Sequence, residues 1–312
     1  MEEIIIKEYD SEEREGCIEL LRRTFPKTSD EATFKWRFEK GNGKKPLLIL
    51  AKHNASVISF NSWIPWEFKY RHDKFTGYQS GESATDMNYR SRGIFSKILR
   101  YADEIASEWK VDFFFGYPSR MSYSPFFKAG YYPIGVNYFY LRPINPLRKR
   151  VQRSFELDSN YAFDSMLEEN DKITPVFDYD YCRWRYLENT KHFEIIEYSE
   201  NNGSAIFFLR KKKWKGLNEL ILLDCQLNNF NDKFIRNSIS FLDKVFSRKA
   251  AYMRTFFNGS TDRGMALRNH FPIRIKPKFC IFIVKPLSGR IDRNTLLNCN
   301  CWDTMPHCVD EL

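Results

Sequence analysis

The chain has 312 residues, 43% hydrophobic and 17% aromatic, with 49 lysines and arginines against 40 acidic residues for a net charge of +9. This length fits two domains of about 150 residues, each with apolar surface enough to fold without metal or disulfide support, and predicts two cores. No run approaches the roughly 18–20 consecutive apolar residues that span a bilayer, and the acidic N-terminus has only Ile4, Ile5 and Ile6 as an apolar cluster, so a soluble cytoplasmic protein is expected.

In chain order, residues 60–66 (FNSWIPW) mix aromatic rings with an amide and a hydroxyl. Residues 76–86 (TGYQSGESATD) are small, aromatic and β-branched, which predicts a strand. Regular alternation in it puts Glu82 on one face with Ser80 and Ala84, opposite Gln79, Gly81 and Ser83, and leaves open which face lines a cleft. From residue 94 the apolar positions Ile94, Phe95, Ile98, Leu99, Tyr101, Ala102, Ile105, Ala106 and Trp109 recur at three and four residue intervals, the period of an amphipathic helix.

Between strand and helix lie residues 90–97 (RSRGIFSK). At a helix N-terminus the first backbone N–H groups lack intrahelical partners and the dipole is positive, so a pyrophosphate can accept several hydrogen bonds there. Gly93 lets the backbone approach such a group without a Cβ in the way. A second strand follows at residues 111–117 (VDFFFGY), then a short helical stretch at 125–131 (PFFKAGY).

Two prolines in residues 141–147 (LRPINPL) take the chain out of its first sheet, which divides it into residues 1–145 and 146–312. The two parts resemble each other in order. Residues 34–38 (FKWRF) match 182–186 (CRWRY), 126–134 (FFKAGYYPI) match 266–273 (ALRNHFPI), and 138–143 (YFYLRP) match 281–286 (IFIVKP). Strands are expected at 204–210, 218–226 and 251–257, and a helix at 232–246. Residues 226–231 (QLNNFN), in the place of the first part's loop, hold neither glycine nor arginine for a pyrophosphate.

Residues 90–97 resemble motif A of the GNAT acyltransferases, R/Q-x-x-G-x-G/A, with Arg90 and Gly93 in the fixed positions and Phe95 where the family has Gly or Ala. Residues 125–131 resemble the family's "fYeklGF" ending. The resemblance implies an α/β fold with a mixed sheet, the acyl-CoA N-acyltransferase (GNAT) fold, in two tandem copies of which the second is degenerate. It implies acetyl-CoA as co-substrate, held by the strand end Ala84, Thr85 and Asp86 and by Arg90, Ser91, Arg92, Gly93, Ile94, Phe95 and Ser96, with the Phe95 ring turned into the sheet. It also implies a pantetheine arm lying in a gap beside the strand before the loop.

Acyl transfer to an amine needs a base, an oxyanion site and a proton for the thiolate. Glu82, in the strand where several GNAT enzymes carry a glutamate, is the expected base, with a carboxyl made more basic by aromatic neighbours such as Tyr78. The family's tyrosine position is Phe126 here, so Tyr123 is the candidate acid, with water as the alternative. Asn61, Trp63 and Gln79 are expected to bind a small polar amine, which by resemblance to tandem amino-sugar acetyltransferases would be a nucleotide-linked amino sugar of surface polysaccharide synthesis.

Two alternatives are a Fem-like aminoacyltransferase using aminoacyl-tRNA, which would not need residues 90–97, and a non-catalytic acyl-CoA-binding protein. The basic clusters at 142–153 and 210–215 read as solvated surface, and nucleic acid is not expected as a partner. The seven cysteines, Cys17, Cys182, Cys225, Cys280, Cys299, Cys301 and Cys308, read as reduced thiols, and Cys299, Cys301, His307 and Cys308 match no structural zinc spacing, so no metal is expected.

Overall fold

The computed structural model describes residues 3–26, 29–41, 43–151, 155–161, 163, 171–201, 203–278 and 280–306. Strand β1 (Ile4–Glu8) is followed by α1 (Arg14–Thr24) and by α2 (Glu31–Phe34), which continues as a π-helical turn (Lys35–Lys40). Next come β2 (Leu47–His53), β3 (Ser56–Tyr70), β4 (Asp73–Thr85), α3 (Ile94–Glu108), β5 (Phe113–Gly116), α4 (Tyr123–Lys128), β6 (Tyr132–Val136) and β7 (Phe139–Pro143).

The second part opens with β8 (Thr174–Pro175) and α5 (Tyr179–Cys182), which also runs into a π-helical turn (Arg183–Leu187). It continues with β9 (Glu194–Glu200), β10 (Gly203–Trp214), β11 (Leu217–Leu227), α6 (Asp232–Phe246), β12 (Tyr252–Thr255), α7 (Asp262–Arg268), β13 (Ile273–Ile275), β14 (Ile281–Pro286) and α8 (Arg293–Leu296).

One sheet has the order β1-β2-β3-β4-β5-β14-β6, with β8 against β3; the other has the order β13-β7-β12-β11-β10-β9. In each, one central pair is parallel, β4 with β5 and β11 with β12, while the other pairings are antiparallel. Sheet membership does not follow a cut at residue 145. The strand that leaves the first part, β7, lies between β12 and β13 of the second sheet, and β14 takes the matching place between β5 and β6 of the first.

Both exchanged strands are fastened the same way. Lys285 on β14 donates to both carboxylate oxygens of Asp103 on α3 (2.6 Å) and to the Ala129 carbonyl after α4 (2.6 Å). Arg142 on β7 pairs with Asp243 on α6 (2.7 Å) and donates to the His270 carbonyl after α7 (3.1 Å).

Three apolar clusters replace the two cores expected. Ile94, Ile98, Leu99, Ala102 and Ile105 of α3 cover one face of the first sheet against Trp63, Tyr78 and Phe114, and α6 covers the second sheet likewise. The remaining faces meet in a shared core that joins Phe60, Phe113 and Phe115 of the first sheet to Ile206, Phe208 and Leu223 of the second. At its centre Trp36 and Trp184 stack (5.5 Å, 19°), each donating its indole N–H to the other's backbone carbonyl, Trp36 Nε1 at 2.6 Å and Trp184 Nε1 at 3.3 Å. This reciprocity brings the matched segments of the two repeats face to face.

Among the described residues the cysteines are free, no group of three or more His, Cys, Asp or Glu is placed to hold a metal, and no helix is long and apolar enough to cross a membrane. His307 and Cys308 lie outside the described residues.

Candidate active site

The site begins where β4 and β5 part. They pair from Gly77 opposite Phe113 to Ser80 opposite Gly116, where β5 ends while β4 runs on to Thr85. Beyond Ser80 the β4 backbone edge opens onto a cavity of about 810 Å³, lined there by Gly81, Glu82, Ser83 and Thr85 and across the gap by Gly116, Tyr117 and Pro118. An unpaired strand edge offers N–H and C=O groups to any extended ligand laid beside it.

β4 is not regular at this point. Phe60 pairs with Ala84 and Ser62 with Gly81, so Asn61 alone stands opposite Glu82 and Ser83, and Glu82 takes φ +45°. A bulge with a non-glycine residue in the left-handed region costs about 1–2 kcal/mol. It also reverses the alternation: Tyr78 faces the α3-side core, whereas Ala84 faces the shared core. Glu82 therefore does not share a face with Ser80 and Ala84 in the sense that regular alternation predicts; the bulge turns it into the cavity.

Glu82 has polar and aromatic neighbours: besides an arginine partner, it shares a small pocket with Ile18, Leu21, Phe34 and Phe38. Arg37, on the π-helical turn after α2, places Nη1 3.1 Å from Glu82 Oε1, with the two side chains only 7% and 15% exposed. Tyr78, expected beside Glu82, donates instead to the Lys45 carbonyl (3.1 Å), and burial pushes its hydroxyl up to about 12. The bulge is held by Asn61, which accepts a hydrogen bond from Ser83 Oγ and donates to Ser80 Oγ (3.4 Å).

At the far end of β4, Asp86 caps the turn at Met87–Tyr89 by accepting from the Asn88 N–H (3.0 Å), and Arg90 Nε donates to the Thr85 carbonyl (3.1 Å). α3 then starts at Gly93, whose φ of +75° suits glycine and whose position provides no side-chain cap. A Cβ at Gly93 would meet no atom within 4 Å, because that side is cavity. The N–H groups at the start of α3 thus face open space, the arrangement that binds phosphate.

Of the residues expected to hold the cofactor, Thr85, Arg90, Ser91, Gly93, Ile94, Phe95 and Ser96 line the cavity. Ala84 does not; it is buried in the shared core. Asp86 turns to its cap and to Arg23 (3.3 Å), and the Arg92 guanidinium sits over the Tyr89 ring (5.1 Å). Phe95 packs edge-on against Phe126 of α4 (5.3 Å, 89°) rather than into the sheet, because α4 crosses the start of α3.

Of the residues expected to bind substrate, Gln79 lines the cavity. Trp63 is fully buried under α3 and donates to the Tyr131 hydroxyl (3.2 Å), so it is a core residue, and Asn61 serves the bulge. Tyr123, the expected acid, is also outside the lining: its ring stacks on Phe127 (6.4 Å, 18°), while Ser122, Pro125 and Phe126 around it reach the cavity.

Part of the cavity lining has no motif in the sequence. Arg185, Asn189, Lys191, Phe193, Arg210 and Leu223, all from the second part, complete the cavity. The signal lay in the matched pairs Trp36-Arg37 and Trp184-Arg185, since repeats that face each other bring equivalent residues together.

Residues 5–132 match the family model of the acetyltransferase (GNAT) domain. This segment is a GNAT domain. Members of the family use acyl-CoA, and the domain spans both the open β4 edge and the uncapped start of α3. No curated protein sequence matches the chain.

Solved structures match in fold over nearly all of it. A conserved Enterococcus faecalis protein described as a probable N-acyltransferase aligns with TM-score 0.67 and 13% identity, covering 92% of this chain and 73% of that one. A GCN5-related N-acetyltransferase from Anabaena variabilis aligns with TM-score 0.66 and 10% identity over 92% of this chain and 73% of its own. N-myristoyltransferase of Saccharomyces cerevisiae, solved with myristoyl-CoA, aligns with TM-score 0.60 and 10% identity over 100% of this chain and 86% of its own. At these identities the likeness is one of fold, and it extends the GNAT architecture to the tandem arrangement of both sheets.

Proposed function

We propose that this protein transfers the acetyl group of acetyl-CoA to the amine of a small polar acceptor, of which a nucleotide-linked amino sugar of surface polysaccharide synthesis is the class we favour. The observation that carries the reading is one cavity that joins the uncapped start of α3, the open edge of β4 and the carboxylate of Glu82. In this reading the pyrophosphate rests on the N–H groups of residues 92–96 and the pantetheine arm adds to the β4 edge like a further strand.

Glu82 takes a proton from the incoming ammonium, directly or through one water, and Arg37 keeps the carboxylate oriented toward the gap. Backbone N–H groups freed by the bulge stabilise the oxyanion. With Tyr123 stacked on Phe127 and Phe126 lacking a hydroxyl, the departing thiolate takes its proton from solvent.

The test is calorimetric titration of the full chain with acetyl-CoA, followed by thiol release across a panel of amines. Binding with amine-dependent thiol release is the expected result. Binding without release from any amine would make the protein an acyl-CoA-binding module, and absence of binding would remove the reading.

A further inference from the structure

We propose that the end of the second repeat where the β10–β11 turn meets the loop after β7 docks the protein on an anionic lipid bilayer. This role goes beyond acetyl transfer and does not depend on it.

The two basic clusters are far apart in sequence, and packing brings them to one end of the second sheet. The loop after β7 is laced to the end of α6: Ser247 Oγ donates to the Pro146 and Arg148 carbonyls (both 3.1 Å), and the Ile144 N–H donates to the Ala251 carbonyl (3.0 Å). Ala251 in turn donates its N–H to the Asn218 carbonyl, beside the β10–β11 turn (2.8 Å). Residues 144–151, 211–218 and 244–251 thus share one end, and they hold three, four and three lysines and arginines, ten in all, with no acid among them.

The carboxylates next to these segments already have partners. Glu194 holds Lys211 (2.6 Å), buried Glu219 holds Arg254 (2.6 Å) and buried Asp243 holds Arg142 (2.7 Å). Burial first, and then the charges of Arg150 and Lys211, lower the pKa of Lys249, so cations from all three segments lie within one another's field. What attracts an anionic surface is the sum of these charges, not a cation without a partner.

Apolar side chains stand at the same end. Trp214 and Leu217 are directly opposite each other across the Lys215-Gly216 turn, so they share a face, and they are 53% and 52% exposed. Leu147, in the loop after β7, is 86% exposed. An indole with the Lys215 ammonium over its ring (4.8 Å) suits the headgroup level of a bilayer, where the leucines gain by reaching the acyl boundary. A nucleic acid would meet the same charge, but its bases would stack on the tryptophan alone and leave the leucines in water. β10 also reaches the cavity: Arg210 lines it four residues before Trp214, about 13 Å of strand, so a docked protein holds its cavity close to the membrane.

The experiment is cosedimentation of the full chain with vesicles of phosphatidylcholine, alone or mixed with about one-third phosphatidylglycerol. Binding to the anionic vesicles should be at least about tenfold tighter and should weaken as salt rises. Trp214→Ser should weaken it about tenfold, as should Lys149→Gln combined with Lys213→Gln, which removes one cation from each cluster. All three positions are exposed, and an unchanged denaturation midpoint checks that each variant keeps its fold. Equal binding to the two vesicles, binding to neither, or binding that either variant leaves intact overturns the proposal. A duplex oligonucleotide that binds where the anionic vesicles do not would assign the surface to nucleic acid and overturn it as well.

Discussion

The two repeats differ most where they are most comparable, at the gap between the parallel strands and the helix that follows. In the first, β4 leads to α3, whose N-terminus is a glycine with no side-chain cap, and the gap is open. In the second, Asn231 caps α6 by accepting from the Lys233 N–H (2.9 Å). There Arg263 of α7, 7% exposed, donates to Asp224 at the end of β11 (2.8 Å), to the Cys225 carbonyl (2.9 Å) and to Asp303 (2.6 Å). Burial pulls its pKa down, but Asp303 and Asp224 outweigh burial and hold it above the usual value.

One fold thus meets the same demand for donors and acceptors in two ways. Where side chains satisfy the strand end and the helix terminus, the gap is closed. Where they are left to a ligand, the unit becomes a site.

The largest test of this contrast is Glu82→Gln. It preserves shape and removes the base that we propose, so turnover should fall roughly 10²- to 10⁴-fold, and any rise of the wild-type rate with pH that this carboxylate controls should disappear. Calorimetry should find acetyl-CoA affinity close to unchanged. Wild-type rates in this variant would reduce the chemistry to positioning an amine that is already neutral.

Arg263→Met probes the closed repeat. It leaves Asp224 and Asp303 buried without their cation and should destabilise the protein by about 3–5 kcal/mol in denaturant unfolding. An affinity for acetyl-CoA that drops with it, in protein still folded, would show that the second gap binds cofactor after all.

Gly93→Leu should weaken acetyl-CoA more than tenfold, because the side chain enters the phosphate's path, with an added backbone strain of about 1–2 kcal/mol from the left-handed φ. Its counterpart Asn231→Ala should cost about 1 kcal/mol of stability and nothing in cofactor affinity. Equal effects of the pair on acetyl-CoA binding would erase the distinction between the repeats. Tyr123→Phe should change turnover least, since the ring lies outside the cavity; a loss comparable to that of Glu82→Gln would restore it as the acid.

Much of the architecture was legible because it depends on local pattern. The helical period from Ile94 to Trp109 marked α3, the loop before it carried its glycine at the turn that needs one, and the matched segments around Trp36 and Trp184 announced the repeat. The site was legible in part. The loop and its strand point to Glu82 and to seven of the residues that line the cavity, whereas Trp63 and Asn61 are buried, since an aromatic or amide in a strand reads the same inward or outward.

What composition and spacing determine by themselves is which segments become strands and helices and where a helix begins without a cap, because these follow from contacts a few residues apart. Tertiary structure decided the rest. It exchanged β7 for β14, since two like strands fit either sheet and only packing on α3 and α6 selects between them. It set the bulge that aims Glu82, which depends on the register of β3 against β4. It also brought Arg185 and Arg210 into the lining of the cavity that Glu82 enters, because residues 103 and 128 positions beyond Glu82 share a cavity with it only when the two sheets close on a common core.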